Sequence, residues 1–386
     1  MDFQLTEQQA ELQEAARKFA RAETMELARE LEKTNTPVPL DMRRRYGEMG
    51  FLGVNLPQEH GGMGLGHLEA LLVLEQFAMV SVAVAFPIFE ALTGPVRTIQ
   101  HFASDELKAK IIPAVVKGET VVAVSMSEPA AGTALTDLKT AGRIDGEEIV
   151  ISGQKRWTSG AGHSDVYIVY CRLSDEPGAR GIGAVLVEKE RDGVSFGKPE
   201  ELMGFRGIPS ADIFLDEVRV PKGNMIVPAG GFAQLMQAFS LERCGNATMS
   251  LGLAAAALEE ATQYAQDREQ FGKPIVDFQA IQLKLAAMAM KVEASRLLIY
   301  RAAVNASQGL PNIFESSVGK CFANEMVREV TADGMQIMGG YGYSKEYGME
   351  QRVRDGFAWG IAGGTTDVQK TNIAAALIGR RFNQRS

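Results

Sequence analysis

Two carboxylates stand out because of their neighbours. Glu242 lies in Ser240-Leu-Glu-Arg-Cys-Gly245. On a helix, Ala238, Phe239, Gly245 and Asn246 would share its face, with Met249 beyond. That face offers no charge partner and leaves space beside the carboxylate, so desolvation would push its pKa toward the working range of a general base. Glu90 follows the apolar run Phe77 to Phe89 and reads as a helix-end residue or as a polar group in an apolar pocket. Two further segments could meet phosphate, although taken alone they read as a surface salt bridge at Arg268 and a turn at Gly339 and Gly340. Arg268, in Asp267-Arg-Glu-Gln-Phe-Gly-Lys-Pro274, has a planar fork that can hold two oxygens at once. Gly339 and Gly340, in Gln336-Ile-Met-Gly-Gly-Tyr-Gly342, would let backbone approach a phosphate closely. The four histidines, His60, His67, His101 and His163, form neither a triad nor a metal spacing, and no metal site is expected.

The elements that must position these residues fall into three blocks. Residues 1–120 read as helical: Thr6 with Gln9 makes a capping box, and Leu12, Ala16 and Phe19 recur at helical spacing. Gly61-Gly-Met-Gly-Leu-Gly66 lacks the G-x-G-x-x-G spacing and reads as a loop before a helix over 68–80. Residues 121–234 carry short β-rich runs at Val121, Ile149, Val166, Gly183 and Asp212, which predict a small antiparallel sheet or barrel. Residues 235–386 return to long helices. Helices, strands, then helices, without βαβ alternation, predict an α+β, mainly helical chain and argue against a doubly wound nucleotide fold.

Bulk properties narrow the function classes. A net charge of -8 over 386 residues argues against nucleic-acid or anionic-membrane partners. The apolar run at Phe77 to Phe89 contains Ser81 and Pro87 and is shorter than the roughly 20 residues a span needs. Cys171, Cys244 and Cys321 have no close spacing and suit a reducing compartment, so a cytoplasmic protein is expected.

The order and spacing of several motifs resemble the flavin-dependent acyl-CoA dehydrogenase family. They are the two phosphate-suited segments, Ile361-Ala-Gly-Gly-Thr-Thr-Asp-Val-Gln369, Ser127-Glu-Pro-Ala-Ala-Gly-Thr133, Lys155-Arg-Trp-Thr-Ser159 and Met203-Gly-Phe-Arg-Gly207. The likeness covers essentially the whole chain. It implies an N-terminal helical domain, a middle β-barrel-like domain and a C-terminal four-helix bundle. It also implies FAD. Ser127 would bond the flavin edge, Trp157 flank the ring and Ser159 reach the nitrogen that receives hydride. Arg268, Gln270, Phe271, Gln336, Gly339 and Gly340 would hold the remainder of an FAD shared with a neighbouring subunit, which implies a homotetramer. Thr365 and Asp367 would touch the cofactor, Thr133 the pyrophosphate of CoA, and Arg243 the CoA end.

The resemblance also exposes a departure. Many relatives place the catalytic glutamate where this chain has Gly363, and glycine cannot take a proton. In branches resembling isovaleryl-CoA dehydrogenase the base lies on the helix after the β domain, and the matching residue is Glu242. The expected activity is dehydrogenation of an acyl-CoA to the 2-enoyl-CoA, with electrons passed to an electron-transferring flavoprotein. Gly363 would open one wall of the site toward branched, cyclic or bulky acyl groups, and Glu90 would line the pocket, polarising it or serving as a base further along the acyl chain. Enoyl-CoA reduction, elimination of a β-substituent and a non-catalytic flavoprotein scaffold share the same motifs.

Overall fold

The structure, a computed structural model, describes residues 4–307, 309–380 and 382. Seven helices open the chain: α1 (Glu7–Glu23), α2 (Met25–Thr34), α3 (Leu40–Glu48), α4 (His67–Val80), α5 (Val82–Leu92), α6 (Pro95–Phe102) and α7 (Asp105–Val116). The Thr6/Gln9 capping box forms as read. α1 buries Ala16, Phe19 and Ala20, and Phe19 meets Phe51 and Tyr46 edge-on at 5.3 and 5.9 Å. α4 is buried on almost every side, and the glycine cluster before it is a loop, as the spacing predicts. Residues 82–102 have a mean hydropathy of 1.3, enough for a membrane span by composition, yet 89% of that window is buried inside the protein. Thr93 and Gly94 break it into α5 and α6.

The eight strands of the middle region follow: β1 (Val122–Ser125), β2 (Ala141–Asp145), β3 (Glu148–Ser159), β4 (Val166–Arg172), β5 (Ile182–Glu188), β6 (Val194–Phe196), β7 (Ser210–Pro221) and β8 (Met225–Val227). They form one sheet in the order β6-β7-β3-β2-β4-β5-β8, with β1 beside β4. The sheet is mixed and not purely antiparallel as the sequence suggested, because β1 runs parallel to β4 over four residue pairs. The cause is the long excursion after β1, which lets a later strand run alongside it where a hairpin would have to turn back. Val166, Ile168 and Tyr170 face the helical core, whereas Tyr167, Val169 and Cys171 face a second core against β3, β5 and β7. Covering both faces explains why β4 reads as a continuous apolar run.

The C-terminal helices are α8 (Phe232–Asp267), α9 (Gln279–Ala306), α10 (Ile313–Met338), α11 (Gly340–Tyr343), α12 (Met349–Ala358) and α13 (Thr366–Ile378). α8 is the axis of the molecule, packed against α4, α9 and α10. Glycines allow the close approach: a Cβ on Gly245 would stand 2.0 Å from Thr93 Oγ1, and one on Gly252 would stand 2.5 Å from Ala78 Cβ. A charged clamp ties α4 to α9, where Glu75 accepts from Arg296 Nη2 at 2.8 Å and from Tyr300 Oη at 2.9 Å.

Candidate active site

From Ala238 to Ala257 every residue of α8 is buried except Glu242, which keeps part of its surface open. A buried helix therefore opens at one carboxylate. Burial raises the Glu242 carboxyl to about 8, against a smaller lowering by the Lys320 and Arg243 cations. This corrects the reading that Glu242 has no charged neighbour: none lies on its own helix face, but Lys320 reaches it from α10. Glu90, on α5, is almost fully buried, and after burial itself the charge of Glu242 raises its carboxyl further. The Tyr170 hydroxyl is buried without a hydrogen-bond partner, and Glu242 raises its pKa further after burial itself.

Gly363 lies in the loop between α12 and α13, with φ +62°. A Cβ there would stand 3.7 Å from Glu242 Oε1, 3.6 Å from Lys320 Nζ and 3.4 Å from Asn246 Nδ2. The Glu242 carboxylate thus ends beside the backbone position from which a side chain at 363 would start. The loop is fixed through its carbonyls. Lys320 Nζ donates to Ala362 O at 2.7 Å, Gly363 O at 2.9 Å and Gly364 O at 2.6 Å. Asn324 Nδ2 donates to Trp359 O at 2.6 Å and to Asn246 Oδ1 at 3.0 Å, while Ser250 Oγ donates to Asn324 Oδ1 at 2.8 Å. Burial, with Arg243 adding to it, lowers Lys320 to about 7, and Glu242 acts in the opposite sense. The sequence reading missed Lys320 and Asn324. Their signal was one lysine and one asparagine in the small-residue run Ser316-Ser-Val-Gly-Lys-Cys-Phe-Ala-Asn324.

Trp157 and Ser159 lie at the C-terminal end of the interior strand β3, and Ser127 follows β1. The pairing of β3 with β7 slips between Lys155 and Thr158, so Arg156 and Trp157 bulge out of the ladder. Trp157 adopts φ +61° and is 52% exposed, a strained position for an aromatic that leaves its ring available. Arg156 stacks 4.4 Å from the Trp157 ring centroid and is anchored by Asp212 and Glu200. The Ser127 segment is tied to the bulge, since Arg156 N donates to Ser127 O at 2.9 Å. Below them, buried Lys155 Nζ donates to Glu128 Oε1 at 2.8 Å, and the Glu128 carboxylate also accepts from Lys139 N and Thr140 N. Burial alone would raise the Glu128 carboxyl; Lys155 and the other donors outweigh that and hold it below its ordinary range.

A second cavity, about 580 Å³, is lined by Arg268, Gln270, Gly339, Gly340, Tyr264 and Tyr341 among others. Phe271 is beside it but 93% exposed, and Gln336 is exposed on α10 outside its wall. Ser127, Trp157 and Ser159 do not line this cavity. Thr133 lies on an exposed loop, and Arg243 is buried, donating through Nη1 to Ser240 Oγ at 3.1 Å. Thr365 caps α13, its Oγ1 accepting from Val368 N at 3.2 Å, with Asp367 exposed in the first turn.

Three family descriptions cover the chain in order: "Acyl-CoA dehydrogenase, N-terminal domain" matches residues 6–119, "middle domain" residues 123–218 and "C-terminal domain" residues 229–378. The chain belongs to the acyl-CoA dehydrogenase family. It is 35% identical to a 3-(aryl)acrylate reductase of Clostridium sporogenes, over 97% of this chain and 99% of that one. It is 34% identical to a 3-sulfinopropanoyl-CoA desulfinase of Paraburkholderia xenovorans, over 99% of both. Its fold superposes on butyryl-CoA dehydrogenase from Megasphaera elsdenii with a TM-score of 0.94 at 30% identity, covering 98% of this chain and 100% of that one. The protein is a flavoprotein oxidoreductase acting on CH–CH bonds, and its cofactor is FAD. The exposed Trp157 ring, the hydroxyls beside it and the open arginine–glycine cavity suit that cofactor's flat ring and diphosphate.

The Glu128–Lys155 pair is expected to decide whether the flavin edge forms. Lys155→Met leaves a buried carboxylate without its cation and is expected to cost about 3 kcal/mol. The check is a lower thermal midpoint together with a lower FAD content; wild-type values for both would show that the pair positions nothing.

Proposed function

We propose that the protein dehydrogenates acyl-CoA thioesters to 2-enoyl-CoA, with Glu242 as the base. The observation that carries this is the single opening in the buried length of α8, at a carboxylate beside the glycine where other members of the family carry theirs. Glu242 takes the proton next to the thioester carbonyl, and its raised pKa gives that transfer a base strong enough to work near neutrality. Lys320 holds the Gly363 loop in place through the three carbonyls to which it donates. Bound FAD supplies the acceptor for the hydride leaving the β carbon. Trp157 and the Ser127 and Ser159 hydroxyls would flank and orient its ring. Electrons then pass to an electron-transferring flavoprotein, the partner the family resemblance implies. Three free, buried cysteines suit a cytoplasmic setting.

The same residues can run the reaction backwards, and one observation gives that direction weight. With a pKa of about 8, Glu242 is mostly protonated at pH 7 in the free site, ready to deliver a proton to the α carbon of an enoyl thioester. Anaerobic mixing with saturated acyl-CoAs separates the two: bleaching of the flavin supports dehydrogenation, and reoxidation of reduced protein by enoyl-CoA alone supports reduction.

Assembly completes the cofactor site in this proposal. Arg268, Gln270, Gly339 and Gly340 line one cavity while Ser127, Trp157 and Ser159 lie outside it, as expected if one FAD spans two subunits. A stripe on α9 supports oligomerisation. Leu283, Met290, Leu297 and Val304 recur every seven residues and are 65, 73, 47 and 58% exposed. A homotetramer would bury it.

Four outcomes check this reading. Glu242→Gln is expected to keep FAD and the fold while slowing α-proton removal by roughly 10³-fold, measured as the rate of flavin bleaching; near wild-type turnover would reject Glu242 as the base. In the wild type, kcat/KM for dehydrogenation is expected to rise with pH and level off above about 8, as the free carboxyl ionises. The sign for stability is opposite. A raised carboxyl favours the folded state while protonated, so its contribution is present at low pH and lost as pH rises from the ordinary carboxylate range through about 8. Glu242→Gln should therefore melt higher than wild type at pH 9. Finally, replacing Leu283 and Met290 with Glu is expected to give smaller species in sedimentation velocity and to lower the flavin-to-protein absorbance ratio; an intact assembly would move the interface elsewhere.

A further inference from the structure

A cavity of about 230 Å³ on the far side of Glu90 is not used by the chemistry at Glu242. Most of its wall is apolar, built from residues such as Val38, Phe86 and Ile208. Two charged side chains interrupt that wall, Arg43 from α3 and Glu90 from α5. Both lack partners. Arg43 Nε and Nη1 are buried with no hydrogen-bond acceptor, and its ion-pair partner Asp165 has Oδ2 3.7 Å from Nη1, beyond hydrogen-bonding range. That carboxylate oxygen already accepts from Val121 N at 2.8 Å. Glu90 is 5% exposed, and its side chain makes no hydrogen bond among the described residues. Buried guanidinium and carboxyl groups are costly to leave unmatched, so the wall is complementary to an acceptor that the chain does not itself provide.

Glu90 links this cavity to the catalytic end. It stands within electrostatic reach of Glu242, and its neighbour Phe89 packs 5.4 Å from Trp359, the residue that begins the Gly363 loop. The chemistry on the wall is that of an oxyanion site. Arg43 offers N–H donors. Burial, reinforced by the charge of Glu242 and opposed by Arg43, keeps the Glu90 carboxyl well above its ordinary range, which favours the protonated form with its O–H donor.

We propose that this cavity is the distal end of the acyl site and selects CoA thioesters whose acyl chain ends in an anionic oxygen group, held by Arg43 Nε and Nη1 and by the Glu90 carboxyl. The proposal rests on the reading of the chain as an acyl-CoA enzyme and adds its substrate class: acyl groups with a terminal carboxylate or similar oxyanion, in preference to plain alkyl chains.

The test is isothermal titration of the FAD-loaded protein with non-reactive CoA thioethers of matched length, one ending in a carboxylate and one in a methyl group. Binding is then read without turnover. The carboxylate-ended thioether is expected to bind at least about tenfold more tightly. Arg43→Met should bring the ratio of the two affinities close to one, and Arg43→Lys should leave an intermediate ratio, with FAD content and melting midpoint confirming that both variants fold. Equal or tighter binding of the methyl-ended compound by the wild type overturns the proposal, as does an unchanged ratio in Arg43→Met. These results leave the dehydrogenase reading intact. Absence of binding by either thioether overturns both, whereas a carboxylate preference without flavin bleaching keeps the substrate class and rejects dehydrogenation.

Discussion

The three carbonyls gathered by Lys320 Nζ are the constraint on which the site depends. The loop between α12 and α13 contains consecutive glycines with positive φ, a backbone that side-chain sterics do not fix. A single ammonium bonded to residues 362, 363 and 364 supplies the missing restraint from a long, buried helix. Asn324 adds Trp359 O to the same anchor. Because Lys320 and Asn324 are one turn apart on α10, the loop inherits the rigidity of that helix, and Gly363 is held at a defined distance from Glu242. The same ammonium opposes the desolvation of the Glu242 carboxyl. One side chain thus sets the geometry and part of the electrostatics of the site.

Burial supplies the remainder. A carboxylate on a surface helix would titrate in its ordinary range, and only a helix enclosed on most sides can push one toward 8. α8 is enclosed because it has α4 on one side and α9 and α10 on others, and the close contacts at Gly245 and Gly252 bring the first of these walls in. The fold and the acid–base chemistry are therefore one requirement met together. Packing α8 so closely brings a large energetic penalty for ionising Glu242, and in the proposed mechanism that penalty serves as basicity.

Much of this was legible in the residues. The capping box at Thr6, the five main strands and the long C-terminal helices follow from local periodicity and turn chemistry, which the tertiary structure does not override. Glu242 was legible because helical spacing placed small and apolar residues around it. Other features were hidden because they are made by tertiary contact. The parallel pairing of β1 with β4 joins runs separated by a long excursion, and no local pattern marks its direction. Lys320 looked like any surface lysine until the carbonyls of a distant loop met it. Trp157 could be placed beside a flavin by motif, but the bulge that turns its ring outward depends on a register slip against β7.

Gly363 and Glu242 are best understood as one arrangement rather than as a loss and a separate gain. A glutamate built at 363 would start from a Cβ 3.7 Å from Glu242 Oε1 and 3.6 Å from Lys320 Nζ, in a backbone conformation that disfavours any side chain. Two carboxylates so close in a dry site cannot both ionise, and one would remain a permanent acid. In the proposed mechanism, the space beside Lys320 therefore accommodates one ionised base, delivered either from the loop or from the helix. Delivering it from α8 places it on the most rigid and most buried element of the molecule, and frees position 363 to be backbone alone. That exchange makes the loop a platform whose carbonyls bind Lys320, with the carboxylate approaching from across the cleft.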